Sequence, residues 1–390
     1  NYKGGYSFSK INDSAYGLSA EIFKKHHLTE AIDNAKTNFD LEHVTPYIKR
    51  KYIKKPVNHN FKCKHKIRLT LDTYEDFRKL SFLFKKFNNN INVSWHDLLN
   101  KAYEIFPEEK KLMIGCAQFG MNYGIANKTG KIKDEEVTNI IQFANINGVT
   151  NYDTAADYGE SEKVLGNNKN YLSNSRLVTK LRKDVKTFDE VKSSILQSCH
   201  NTKREKMDAV LLHRVDHLGS KVWDHLKICR EEGLVENIGV SVYEPKEAFE
   251  ILNDGSADII QIPFNILDTR WSSFLKQGNN KIIICARSIF LQGAAINPKV
   301  LDKMGYFKIA QSLKNCVKNY NRKNLVDLCI AFVRSQQAIN YIIMGVDNSN
   351  QMKENIYFFK NKTLAPNEIQ EVNDIFKDMP ISLIDPRLWD

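Results

Sequence analysis

From Lys111 onward the chain alternates between two kinds of segment: short runs that are apolar at nearly every position, and longer stretches whose apolar residues recur three and four positions apart. The apolar runs are KLMIGCAQFG, VTNYDT, RLVTK, DAVLLH, ENIGVSV, DIIQIPFN, KIIICARS and NYIIMGV, which makes eight predicted strands. Between them, segments such as DEEVTNIIQFANIN, FDEVKSSILQSCH, KVWDHLKICREEG, EPKEAFEIL and NLVDLCIAFVRSQQ have the spacing of amphipathic helices. Eight strands, each followed by a helix, predict a (β/α)8 barrel over residues 111–390. A doubly wound sheet is the rival arrangement, but no G-x-G-x-x-G follows the first strand.

The preceding segment reads differently. AEIFKKHHLTEAIDNAK is helix-like, KIRLTLDT predicts a strand, and EDFRKLSFLFKKF and WHDLLNKAYEIF predict helices. A border near Phe106–Lys110 divides the chain into two domains, residues 1–107 and 111–390.

Composition narrows the class. The 390 residues are 42% hydrophobic and 11% aromatic, too apolar for a disordered chain. No stretch approaches the roughly 20 apolar residues of a membrane span, and the first residues hold no apolar secretion signal, so a cytoplasmic protein without membrane insertion is expected. An opening at Asn1 rather than Met fits a fragment. The formal net charge is +11, much of it in one run, Lys49–Arg68. There the cations alternate with Tyr52, Ile53, Val57 and Phe61, which predicts a solvated or phosphate-facing loop rather than a nucleic-acid surface. Seven cysteines, an odd number without any C-x-x-C, support neither a disulfide framework nor a zinc site.

Chemistry in such a barrel gathers at the C-terminal ends of the strands. The polar residues that close the runs are Asp153, with Tyr158 five positions on, then Lys180, His213, Ser241, Gln261 with Asn265, and Arg287 with Ser288. Each alone has an ordinary explanation, a helix cap, a strand-end charge or a satisfied core histidine. An acid, a phenol, a lysine and an imidazole on one face suit hydride transfer to a carbonyl, where a developing alkoxide needs a proton. In that scheme Tyr158 is the acid and Lys180 lowers its pKa. Asp153 keeps Lys180 charged, and His213 orients the carbonyl.

The segment Asn151–Gly166, NYDTAADYGESEKVLG, closely resembles the second-strand signature of aldo-keto reductases, and VTK, LLH, GVS, IQIPFN and MGVDNSNQMKEN follow in that family's order. The resemblance implies a (β/α)8 barrel with an NADP-type nicotinamide cofactor and a catalytic tetrad of Asp153, Tyr158, Lys180 and His213. It implies cofactor contacts from Ser241 and Gln261 at the nicotinamide and from Glu354 and Asn355 at the adenine end, with Arg287 and Ser288 also among them. Two departures stand out. Ser241-Val242 replaces the Ser-Asn of many members, and Gly345 and Gln351 stand where basic residues usually grip the 2′-phosphate. Lys353 is the cation left nearby, so NADP(H) is the preferred nucleotide and NAD(H) a usable one. The stretches GCAQFGMNYGIANKTGKI and ARSIFLQGAAI are similar to a bacterial branch tied to surface-polysaccharide and sugar metabolism, which implies a polyhydroxylated substrate. Loops Gly120–Lys133 and Leu267–Asn280 are expected to select it.

The first 85 or so residues resemble another family. GLSAEIF, DLEHVTPYI and IRLTLDTYEDF look like the C-terminal half of nucleotide-sugar cytidylyltransferases of the spore-coat polysaccharide and acylneuraminate type. That likeness implies that Asp72 helps bind a divalent metal, Mg2+, when the domain is intact. The family's glycine- and arginine-containing nucleotide loop is absent, so the segment is either a fragment or a remnant and does not transfer a cytidylyl group by itself. The leading reading is an NAD(P)H-dependent oxidoreductase acting on a sugar-like intermediate of surface-glycan synthesis. Its alternatives are a nicotinamide-binding regulatory or scaffold barrel, and an accessory domain of a cytidylyltransferase.

Overall fold

The computed structural model describes residues 6–9, 21–35, 37, 40, 45–52, 54–57, 69–71, 74–105, 111–125, 127, 130–173, 175–277 and 282–389. They fall into two compact units, Asn1–Glu109 and Lys110–Asp390.

In the first unit, β1 (Tyr6–Ser9) is the middle strand, antiparallel to β2 (Glu21–Phe23) and parallel to β3 (Lys54–Val57). Helices follow at Lys25–Asn34, Pro46–Lys51, Tyr74–Lys85 and Trp95–Ile105. The first predicted helix therefore starts late. Ile22 and Phe23 register with Ser7 and Tyr6, and this backbone pairing draws Glu21–Phe23 into the sheet. Of the predicted strand KIRLTLDT, residues 69–71 lie outside regular structure and the remainder, with Asp72, lies outside the described residues. The basic run is corrected in part as well. Lys49, Arg50 and Lys51 end a helix and pair with Glu21, Asp40 and Glu30, and Lys54–Val57 is β3. The charges predicted to face solvent or phosphate find carboxylates within their own unit.

The second unit contains all eight predicted strands: β4 (Lys111–Gly115), β5 (Asn151–Asp153), β6 (Arg176–Lys180), β7 (Met207–Leu212), β8 (Val235–Ser241), β9 (Ile259–Pro263), β10 (Ile283–Arg287) and β11 (Tyr341–Gly345). Every neighbour is parallel, and β11 pairs with β4 to close the barrel. Helices alternate with the strands, and local signals start and stop them. Thr187 and Glu190 form a capping box at the head of Phe188–Thr202, and Pro245 opens Pro245–Asp254.

Strand side chains divide by parity. Leu112, Ile114, Val210, Leu212, Ile260 and Ile262 belong to the large core under the helices. The alternate positions Met113, Ala209, Leu211, Ile259, Cys285 and Ile343 form a separate small core, the barrel interior. Both faces are buried, so the strands read as unbroken apolar runs. Carried one step further, the interior parity puts Gly115, Asp153, Lys180, Ser241, Gln261, Arg287 and Gly345 at the C-terminal rim. The register Ser241 to Gln261 places the polar members of β8 and β9 side by side, and on β10 Gln261 is level with Cys285, one interior position before Arg287.

Candidate active site

Polarity at the rim begins with one buried ion pair. Lys180 and Asp153 are only 1% and 4% exposed, so neither charge survives there without the other. Lys180 Nζ donates to both carboxylate oxygens of Asp153, at 2.9 and 2.8 Å, and to the carbonyl oxygen of Thr154 at 3.0 Å. Asp153 Oδ1 also accepts from Gln261 Nε2. Gln261 Oε1 and Asn265 Nδ2, both buried, have no partner.

Tyr158 sits over this pair, its ring centroid 5.2 Å from Lys180 Nζ. The turn that carries it is tied down from both sides. Ala156 N donates to the Lys180 carbonyl, Thr154 Oγ1 donates to Ser161 Oγ, and Ser161 Oγ donates to the Cys116 carbonyl. Two glycines permit the final approach. Gly159 has φ +56°, and a Cβ there would lie 2.5 Å from the Gly120 carbonyl oxygen. A Cβ on Gly120 would lie 1.9 Å from the Tyr158 carbonyl oxygen. His213, next after β7, meets the Tyr158 ring edge-on at a centroid separation of 5.8 Å.

The electrostatics correct one expectation. The Tyr158 hydroxyl is held above its ordinary pKa, first by burial, which disfavours the phenolate, and then by the Asp153 carboxylate. The net shift is upward although Lys180 is close, and all three N–H bonds of its ammonium go to Asp153 and Thr154, so none hydrogen-bonds the phenol. His213 is pushed down to about 2, mainly by burial and then by Lys180, Lys183 and Arg287. The ring is therefore neutral at physiological pH. Its Nδ1 lies 3.3 Å from Asp157 Oδ2, but without hydrogen-bond alignment, and with a neutral ring the contact is not an ion pair.

A cleft of about 300 Å³ opens beside Tyr158, where the rim positions on β4 and β11 are Gly115 and Gly345. Asp153, Tyr158, Arg287, Ser288, Glu354 and Asn355 line it. The other expected residues do not. Lys180, His213, Ser241 and Gln261 are not among its lining residues, and Lys180, Ser241 and Gln261 are buried. Lys353 is exposed with its ammonium 5.6 Å from the Phe143 ring centroid. The start of the helix Ser349–Phe359 is also occupied, since Ser349 N donates to Glu136 Oε1 and Gln351 N to Asn348 Oδ1. Of the two expected specificity loops, Gly120–Lys133 supplies Tyr123 and Asn127, whereas Leu267–Asn280 supplies nothing among the described residues. Its place is taken by the segment after β10, with Phe290 and Gln292, and Asp347 adds a buried unpaired Oδ1. Sequence reading missed these because their selection depends on which loop folds over the mouth. The signals for Phe290 and Gln292 were their position directly after the Arg287-Ser288 rim and their place in the stretch ARSIFLQGAAI.

Among the described residues six free cysteines are buried. Burial raises all their thiols, Cys285 to about 12 and Cys229 to about 11, so they are protonated and unreactive. Among the described residues no cluster of metal-ligating side chains is found, and no helix is long and apolar enough to cross a membrane.

Comparison with known proteins gives this arrangement a context. The sequence model of the Aldo/keto reductase family matches residues 111–377, well over half of the chain. Among solved structures, the aldo-keto reductase AKR11C1 from Bacillus halodurans in its holo form aligns with a TM-score of 0.57 at 16% identity, covering 68% of this chain and 91% of that one. The Bombyx mori aldo-keto reductase AKR2E4 in complex with NADP aligns at 0.52 and 18% identity, covering 70% and 91%. An aldo/keto reductase from Brucella melitensis aligns at 0.51 and 18%, covering 68% and 94%. At these identities the likeness is one of fold. A curated relative, the uncharacterised protein MJ1063 of Methanocaldococcus jannaschii, is 33% identical over 105 residues, 25% of this chain, and the chain spans only 42% of that relative's length.

Proposed function

This chain belongs to the aldo/keto reductase family, and we propose that it is an NAD(P)-dependent oxidoreductase in which Tyr158 protonates the oxygen of a carbonyl substrate reduced in the cleft beside it. The observation that carries this reading is a protonated phenol facing a cleft, above a buried Lys180–Asp153 pair and beside a neutral imidazole.

The residues present fit a nicotinamide dinucleotide. Gln261 Oε1 is a buried acceptor without a donor, as a carboxamide would need, and Asp347 Oδ1 is another, as a ribose hydroxyl would need. Ser288, Glu354 and Asn355 line the cleft and would hold the nucleotide together with the buried Gln261 and Ser241. When bound, the nicotinamide supplies the hydride. Tyr158 then gives its proton to the substrate oxygen. Its raised pKa keeps that proton in place until negative charge develops on the oxygen, and the pair beneath fixes the turn from which the phenol projects. His213, being neutral, orients the carbonyl without competing as an acid. Among the described residues no arginine or lysine lines the cleft near Glu354 and Asn355. NADP(H) is thus preferred by a narrow margin and NAD(H) remains usable.

We read the substrate as a sugar-like carbonyl compound of surface-glycan synthesis, and residues 1–107 as a partial cytidylyltransferase domain distinct from a barrel domain at 111–390. Both rest on the sequence resemblances. Mixing the full chain with NADPH and a simple aromatic aldehyde tests the central reading through loss of the reduced-nicotinamide absorbance. Nucleotide binding without turnover on any aldehyde or sugar would overturn it in favour of a regulatory barrel.

A further inference from the structure

Arg287 is the one cationic side chain among the described residues that line the cleft. Three of its five N–H groups are satisfied by neutral acceptors: Nε by Ser241 Oγ at 3.3 Å, Nη1 by Ser288 Oγ at 3.3 Å and Nη2 by the Val242 carbonyl at 2.9 Å. One N–H on each terminal nitrogen is left over. The plane is fixed by the Tyr243 ring, whose centroid is 4.4 Å from Arg287 Cζ.

Its neighbours are handled differently. Arg387, stacked 3.8 Å from the same Tyr243 centroid, pairs with Asp385, and Arg270 pairs with Asp268 and Glu244. Among the described residues no carboxylate pairs with Arg287. A guanidinium held rigidly in a part-buried cleft with two unused donors and no counter-charge is a fork for a planar anion.

We infer that Arg287 binds a carboxylate on the substrate, so the preferred substrates are carbonyl compounds that also carry an acid group. This rests on the reductase reading and adds a substrate class to it. Tyr158 and Tyr123 line the same cleft as Arg287, so an anion bound there keeps the rest of the molecule near the phenol that delivers the proton. A sugar acid is the polyhydroxylated form of such a substrate. The rival anion is the dinucleotide's pyrophosphate, and the test separates the two.

The probes are 4-(hydroxymethyl)benzoate and its methyl ester, titrated calorimetrically into the full chain with and without NADP+. Their aldehyde counterparts, 4-carboxybenzaldehyde and methyl 4-formylbenzoate, are compared by kcat/KM. The acid is expected to bind roughly 10- to 100-fold more tightly than the ester, the scale of a charge-assisted bidentate contact. Arg287→Gln is expected to erase the difference and Arg287→Lys to keep part of it. Equal binding of acid and ester to the wild type overturns the inference, and that measurement needs no variant to fold. So does an Arg287→Gln protein that keeps the preference but loses nucleotide affinity, which would assign Arg287 to the pyrophosphate. Failure of both aldehydes to oxidise NADPH would overturn the reductase reading and leave the binding comparison to judge Arg287 separately.

Discussion

Lys180 and Asp153 are bound to each other at 2.8 and 2.9 Å, and the third N–H bond of the ammonium goes to the Thr154 carbonyl, so none reaches Tyr158. The lysine therefore works as a strut. It neutralises the carboxylate, fixes the strand end that precedes the Tyr158 turn, and leaves the phenol with its proton.

Replacing Lys180 with Met leaves Asp153 buried and unpaired, and the expected cost is about 3–5 kcal/mol of barrel stability. Adding Asp153→Leu is expected to recover most of that stability and none of the activity. Urea unfolding midpoints with steady-state rates check both. A single variant as stable as the wild type would contradict the strut.

For Tyr158→Phe, kcat/KM is expected to fall by at least about 100-fold, the scale of a lost general acid, with nucleotide affinity little changed. Because the phenol's pKa is raised, wild-type reduction is expected to hold its rate as pH climbs toward about 10, where a free tyrosine ionises. A rate that declined around neutral pH, with loss of the proton assigned to Tyr158, would count against the assignment.

His213 gives stability a sign. Its pKa is about 2 in the folded chain and 6.5 when free, so between those values the unfolded chain binds the extra proton. Its contribution is present above pH 6.5 and is lost progressively as pH falls toward 2. From pH 7 to pH 5 the loss is about 2 kcal/mol. His217, also lowered by burial, acts in the same direction. Denaturant titrations of His213→Gln at the two pH values are expected to show a pH dependence smaller by that amount, and an unchanged slope would refute the neutral buried ring.

Lys353→Ala is expected to leave the ratio of NADPH to NADH affinity within about twofold of the wild type, since its ammonium lies over Phe143 and outside the cleft lining. That ratio itself should not exceed about tenfold, for want of a basic clamp. Fluorescence titration with each nucleotide measures both. A large drop in NADPH affinity on removing Lys353 would return it to the site.

The barrel was legible because its strands are buried on both faces and its helices on one, so period and run length carry the architecture. The rim residues were legible for a related reason, since Asp153, Lys180 and Gln261 are polar groups at the interior ends of apolar runs. Tyr158 was found through its motif. The direction of its pKa shift was not legible, because that depends on how deeply the ring is buried and on whom Lys180 faces. Lys353 was placed by its sequence neighbourhood, whereas its exposed ammonium lies over the Phe143 ring. The strand at Glu21–Phe23 continues a helix-like pattern in sequence and is a strand only because β1 lies beside it.

The Gly120–Gly159 contact has a consequence for redesign. The mouth loop beginning at Gly120 and the turn bearing Tyr158 meet backbone to backbone, with Glu160 N donating to the Gly120 carbonyl at 3.3 Å. Transplanting a loop from another barrel to change what enters the cleft would have to begin at Met121 or later. A graft that replaced Gly120 itself would shift the proton donor along with the doorway, and a variant made for a new substrate would lose its rate on every substrate at once.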